Sequence, residues 1–401
     1  MRRFNDIIIL FSIMLAAAGC CRHDKITVED NVRITLSPVV SAGTKAVVND
    51  KKDLLAQSYG DTGIGFGVFG YMSLKEGDNT SPKTLVFNNT EVKPSADTET
   101  EENKATWSYT PIRYWDSNSN AYYQFVAYWP HLQSAADQHN ASAPWVDNAN
   151  VIGQNTTAGM LLTLHNIPNW QDSISHDTRD YLVAKSKGKY KGTEAGVTYY
   201  SNGIVPFTFS HILSKLTIKA YYVGVKENHI SVHNITLGRE GNNLLSTNGV
   251  VNYTKPYGGN NAAAAFTDPT KGGTSQVLFN ANATTPATPH TLQETAFYDQ
   301  DTPANTPHCL HEAICTWLVV PTGGWNGLKL NVSFAIGDDA EPTPIEVSGI
   351  NIGTADAYAM ASGYQYILTL KFDSSGGGID VEMVYVKDWV DNNVDHEVYN
   401  W

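Results

Sequence analysis

The residues best placed to do chemistry sit in one short string, His308-Cys309-Leu310-His311-Glu312-Ala313-Ile314-Cys315. Cysteine beside histidine admits three readings. A disulfide between Cys309 and Cys315 is favoured where the chain meets an oxidising compartment. Two buried thiols are the second reading. A zinc site is the third, because thiolate and imidazole are the usual zinc ligands. The spacing matches no common zinc pattern, so no metal is expected. His311-Glu312 also opens the HExxH string of zinc proteases, but Cys315 stands where the second histidine is required. The sequence has no G-x-S-x-G elbow, no phosphate-binding glycine loop and no carboxylate pair at a telling spacing. It is not expected to be an enzyme, and no cofactor is expected.

Cys20 points to a different chemistry. Arg2 and Arg3 precede an apolar run from Ile7 to Ala18, broken only by Ser12. That run is well short of the roughly 20 residues of a membrane-spanning helix, so it reads as the core of a signal peptide. It ends in Leu15-Ala16-Ala17-Ala18-Gly19-Cys20, which resembles a bacterial lipobox, with Ala17 at the usual leucine position and Cys21 directly after. The expectation is a leader over residues 1–20 and acylation of Cys20. Each buried methylene of the acyl chains adds about 0.8 kcal/mol of anchoring.

The elements that would position these residues are strands. Short runs of alternating or β-branched residues recur at Phe66 to Tyr71, Tyr122 to Trp129, Leu216 to Val223, Leu328 to Phe334 and Tyr364 to Leu370. Period-two runs rich in Val, Ile, Thr, Tyr and Phe suit half-buried strands. Asn202-Gly203, Asn248-Gly249 and Asn326-Gly327 signal tight turns, since both residues tolerate positive φ. Polar stretches at 88–106 and 256–306 read as surface loops, the second as an insertion. The 401 residues suggest two domains, and Val205-Pro206 suggests a boundary near 205. The expected fold is all-β, two antiparallel β-sandwich domains in series over 34–205 and 206–401. A net charge of −13 excludes a nucleic-acid partner, which would need clustered Lys and Arg.

Taken in order, several strings resemble the fimbrillin family of Bacteroidales, the Mfa-like and FimA-like subunits of type V pili. They are Thr44-Lys45-Ala46, the strand at Phe66 to Tyr71, Trp107 to Trp115, Phe125 to Pro130, Asp180 to Ala184, Phe209 to Leu216, Gly363 to Tyr366 and Val386 to Trp389. Most of these aromatics read as core packing. His211 reads as a packed or hydrogen-bonded strand residue. The resemblance implies transthyretin-like sandwiches and a role in assembly. Such pilins are exported as outer-membrane lipoproteins, then cut by a trypsin-like protease after a basic residue. The cut removes the first strand, and a strand from another fimbrial subunit fills the groove at the cell surface by β-strand addition.

Under that resemblance, residues 21–33 are the expected removable strand, with Ile26, Val28 and Val32 alternating. Arg33 is the expected processing site, ahead of Lys25 and Lys45. The expected donor is 390–401, carried by Val390, Val394, Val398, Tyr399 and Trp401. Stalk, tip and anchor roles stay open, as does any host or bacterial receptor. The alternative is a glycan-binding surface lipoprotein of a polysaccharide-uptake system, with Trp145, Trp170 and Trp325 as candidate sugar platforms.

Overall fold

The strand Tyr122–Trp129 is buried along all of its length, because both faces of its sheet are covered. Successive side chains of a strand point to opposite faces. In the computed structural model, Tyr123, Phe125, Ala127 and Trp129 accordingly join one apolar cluster, while Val126 and Tyr128 join another. The structure describes residues 32–386 apart from 41–53, 55–62, 75–83, 95–105, 138–142, 148–161, 173–179, 240–245, 254–264, 300–308, 321–327, 338–344, 352–361 and a few shorter stretches.

Around this strand runs a seven-stranded sheet in the order Thr35–Val40, Ile204–His211, Leu182–Lys189, Tyr122–Trp129, Phe66–Ser73, Thr84–Pro94, Trp107–Ser108. The first pairing is parallel and the rest are antiparallel. Gly67 and Gly70 let it pack closely, since a Cβ on either would lie 2.4 Å from the Tyr128 ring or 2.6 Å from Phe125. The two ends of the sheet approach each other, and Arg33 bridges to Tyr114 across the seam.

The C-terminal half is a sandwich. One sheet runs Ile379–Val386, Gln365–Asp373, Ser214–Val223, Glu312–Val319, Gln171–Asp172; the other runs Ser275–Asn280, Ile230–Arg239, Leu328–Ile336, Ile345–Asn351. Leu216, Ile218 and Leu368 from the first meet Ile235, Leu330 and Phe334 from the second in a single apolar cluster.

A fourth sheet crosses between the halves. Ala265–Lys271 and Ser246–Tyr253 pair onto Leu162–Pro168, which continues to Trp145–Asp147 and Gln133–Ser134. Beside it lies a third apolar cluster that draws Phe69, Tyr128 and Val183 from the first half and Leu213, Leu318 and Val320 from the second.

The all-β expectation stands, with three corrections. Ile204–His211 closes the N-terminal sheet instead of opening the next unit, so the chain crosses over at Ile212-Leu213 and not at 205. The stretch 256–306 contains the strands Ala265–Lys271, Ser275–Asn280 and His290–Thr291, so it is not one surface loop. Thr84–Pro94 likewise occupies the start of the stretch 88–106.

Candidate functional site

The strand Thr35–Val40 is the most unusual element of the N-terminal sheet, because it is an edge strand that contributes to the core. Ile34, Leu36 and Pro38 are buried, and Arg33, Thr35 and Ser37 are only half-buried. The alternation fixes the hydrogen bonding too. Thr35 N–H donates to Gly203 O at 2.9 Å, and the register then pairs Leu36 with Val205 and Pro38 with Phe207. Odd-numbered residues therefore face Ile204–His211 through their main chain, and even-numbered ones face the other way. On that other side Pro38 has no N–H to offer.

Aromatic residues hold the start of the strand. The Tyr109 hydroxyl donates to Ile34 O at 2.6 Å, and burial raises its pKa. Ile34 N–H donates to Arg113 O, and Trp115 N–H donates to Val32 O, both at 3.0 Å. The Arg33 guanidinium lies 5.1 Å from the Tyr109 ring centre, a cation–π contact. Trp115 donates from Nε1 to Gly203 O at 3.2 Å and stacks on Tyr190 and Tyr200 at 5.4 and 5.3 Å. Gly203 has φ of +76°, and a Cβ there would meet Val32 Cγ1 at 2.8 Å, so glycine is required at this turn. Beneath the strand, Phe66 packs at 5.1 Å from Trp107, 6.0 Å from Phe207 and 5.6 Å from Phe209, in the cluster that also holds Ile34 and Leu36. This arrangement holds residues 34–40 as an extended strand against the core.

The other expected site residues are scattered. Cys20 and the donor segment 390–401 lie outside the described residues, as do Trp170 and Trp325. Trp145 is half-buried, and one face of its indole is covered by His165 at 3.7 Å across the strand pair. The expected disulfide is not formed: Cys309 and Cys315 are carried as two thiols. Cys315 is buried inside Glu312–Val319, and Cys309 precedes that strand in a half-buried position. His311 stacks on Tyr221 at 4.6 Å, and Glu312 accepts from Gln293 N–H at 2.9 Å. Among the described residues no group of three or more His, Cys, Asp or Glu could hold a metal ion. His211 is a hydrogen-bonded strand residue, with Nδ1 2.7 Å from the buried Asp180 Oδ2.

Sequence reasoning missed Tyr109, Trp115 and Pro38 as parts of this site. The available signal was the alternation Ile34-Thr35-Leu36, which continues through Pro38 and marks a strand in its own right.

The chain is thus all-β, with an edge strand that fills part of the N-terminal core. The profile of the Fimbrillin-like family matches residues 57–389, and the chain belongs to that family. No curated protein matches it. Among solved structures, a fimbrial protein from Bacteroides vulgatus is similar over 89% of this chain and 99% of its own, with 17% identity and a TM-score of 0.54. A proposed cell-adhesion protein from Bacteroides uniformis matches over 89% and 98%, with 16% identity and a TM-score of 0.45. At such identities the first likeness bears on the fold alone.

Proposed function

We propose that this chain is a subunit of a cell-surface fimbrium, and that residues 34–40 are the strand a neighbouring subunit replaces. The observation that carries this reading is that an edge strand places Ile34, Leu36 and Pro38 in the interior. Without it, the cluster holding Phe66, Trp107, Phe207 and Phe209 would open to water. An extended segment from another subunit restores both the main-chain bonds and the apolar contacts. Family membership supports the surrounding pathway: export as a lipoprotein through Cys20, anchoring in the outer membrane, then release by a trypsin-like protease.

The cut belongs on the C-terminal side of this strand. A protease draws several residues of its substrate, extended, into its own cleft. The Arg33–Ile34 bond is held by Arg113 and Trp115 on one side, and Thr35 is bonded to Gly203 on the other. A cut there would also leave Ile34 and Leu36 in the core and the groove filled. Lys45 is the first basic residue after the strand. It lies outside the described residues, and we assign processing to the Lys45–Ala46 bond.

Limited trypsin treatment of the folded protein tests this. The expected result is a new N-terminus at Ala46, with the fragment ending at Lys45 held until an excess of a peptide of sequence 34–40 displaces it. A first stable product starting at Ile34 would sink the proposal.

A further inference from the structure

The groove selects its occupant. Resting on the strand-exchange reading above, we infer that it takes a strand from a different chain and that this chain's own segment Val390–Trp401 does not fill it. The partner strand runs parallel to Ile204–His211 and carries two bulky aliphatic residues and then a small apolar one at successive alternate positions. That pattern is the imprint of Ile34, Leu36 and Pro38, each buried and each on the same face of the strand. The rim is tolerant, since Thr35 and Ser37 are half-buried and polar.

The segment 390–401 reads Val-Asp-Asn-Asn-Val-Asp-His-Glu-Val-Tyr-Asn-Trp. Its valines recur every fourth residue, so alternate positions on their face are Val390, Asn392, Val394, His396, Val398 and Asn400. The opposite face carries Asp391, Asn393, Asp395 and Glu397 before it reaches Tyr399 and Trp401. Sliding the segment along the groove, any three successive positions on either face include Asn, His, Asp or Glu. Every register therefore drives a polar side chain into an apolar, aromatic-lined interior, which is unfavourable without a hydrogen-bond partner. The valine spacing that suggests a donor strand is the wrong period for this acceptor. A subunit built this way does not polymerise through its own segment 390–401 and takes its strand from a chain that carries the matching apolar pattern.

The test uses full-length protein cut by trypsin and shown by mass spectrometry to begin at Ala46. Three fluorescent peptides are offered to it: residues 34–40, residues 390–401, and residues 390–401 with His396→Leu, which creates a Val-Leu-Val face. Peptide 34–40 is expected to exchange in. Peptide 390–401 is expected to bind roughly ten- to a hundredfold more weakly, and His396→Leu to recover much of that loss. Equal binding by the unaltered 390–401 peptide overturns the inference. So do ladders formed by the cut protein alone that vanish when 390–401 is deleted; both results leave strand exchange itself standing. If no peptide enters protein that begins at Ala46, the acceptor groove is wrong, and strand exchange and this inference fall together.

Discussion

Tyr128 shows how much one hydroxyl can hold in a strand buried on both faces. Its ring stacks on Phe69 at 6.2 Å, and its hydroxyl donates to Asn89 Oδ1 and accepts from Leu132 N–H at 3.3 Å. Asn89 sits at φ of 47°, a left-handed conformation that asparagine tolerates better than most residues. Tyr128→Phe strands both partners in the interior and should cost about 1–3 kcal/mol by urea unfolding; a loss below ~0.5 kcal/mol would show that these groups find other partners. Lys185 gives a pH signature. Burial brings its ammonium down to about 8, against ~10.4 in an unfolded chain. Between those values the unfolded chain binds more protons, so stability rises with pH, and below about pH 8 the full penalty is present. Tyr71, Tyr123 and Tyr200, each pushed up to about 12 by burial, act in the opposite direction only above their ordinary value of 10.0. Unfolding midpoints should therefore climb from about pH 8 to 9.5, and Lys185→Met should flatten the climb.

At the scale of elements, the strand Thr35–Val40 is held mainly by Leu36 and the adjoining Ile34. Leu36→Ala removes a fully buried side chain next to aromatic rings and should cost about 2–5 kcal/mol. In cut protein the same change should speed release of the fragment ending at Lys45, measured as faster uptake of a 34–40 peptide. An unchanged release rate would mean that the strand is held elsewhere. Strand positions were largely legible in the sequence, because alternation is local: Phe66–Ser73, Tyr122–Trp129, Ser214–Val223 and Gln365–Asp373 follow their patterns closely. Pro206 misled because proline usually ends a strand. Here Gly203 O faces Thr35, so alternation turns Pro206 to the other side, where Leu182–Lys189 pairs only at Leu182 and Val183. No ladder bond is lost. Pro269 likewise lies within a strand, Ala265–Lys271, at the edge of its sheet. The site was less legible, since Arg33 before an apolar alternation looks the same whether the alternation lies within a sheet or forms its edge.

For the whole molecule, the decisive feature is the sheet shared between the halves. Ser246–Tyr253 pairs with Leu162–Pro168, and Gln171–Asp172 adds to the edge of the C-terminal sheet at Trp317 and Leu318. With the third apolar cluster, these pairings couple the two cores. Calorimetry should give a single cooperative transition with equal calorimetric and van't Hoff enthalpies; two resolved transitions would show that the halves melt independently. A chain ending at His211 would lose Leu213, Leu318 and Val320 from the third cluster and the strand that pairs with Leu162–Pro168, and should aggregate. None of this was legible beforehand, because local periodicity says which residues form strands and not which distant strand each one meets.

The parallel pairing of Thr35–Val40 with Ile204–His211 also determines how a joint at this groove would carry mechanical load. A six-residue strand extends about 20 Å, with its ladder bonds spread along that length. When tension in a fibre pulls along the strand axis, those bonds are strained together and not peeled one by one from an end. Rupture then requires most of them to fail in a single event, and the lifetime under force follows the rate of that event and not the equilibrium affinity. Flow past a cell that tugs briefly and repeatedly would be resisted by such a joint even where the resting exchange of strands is slow and nearly balanced in free energy.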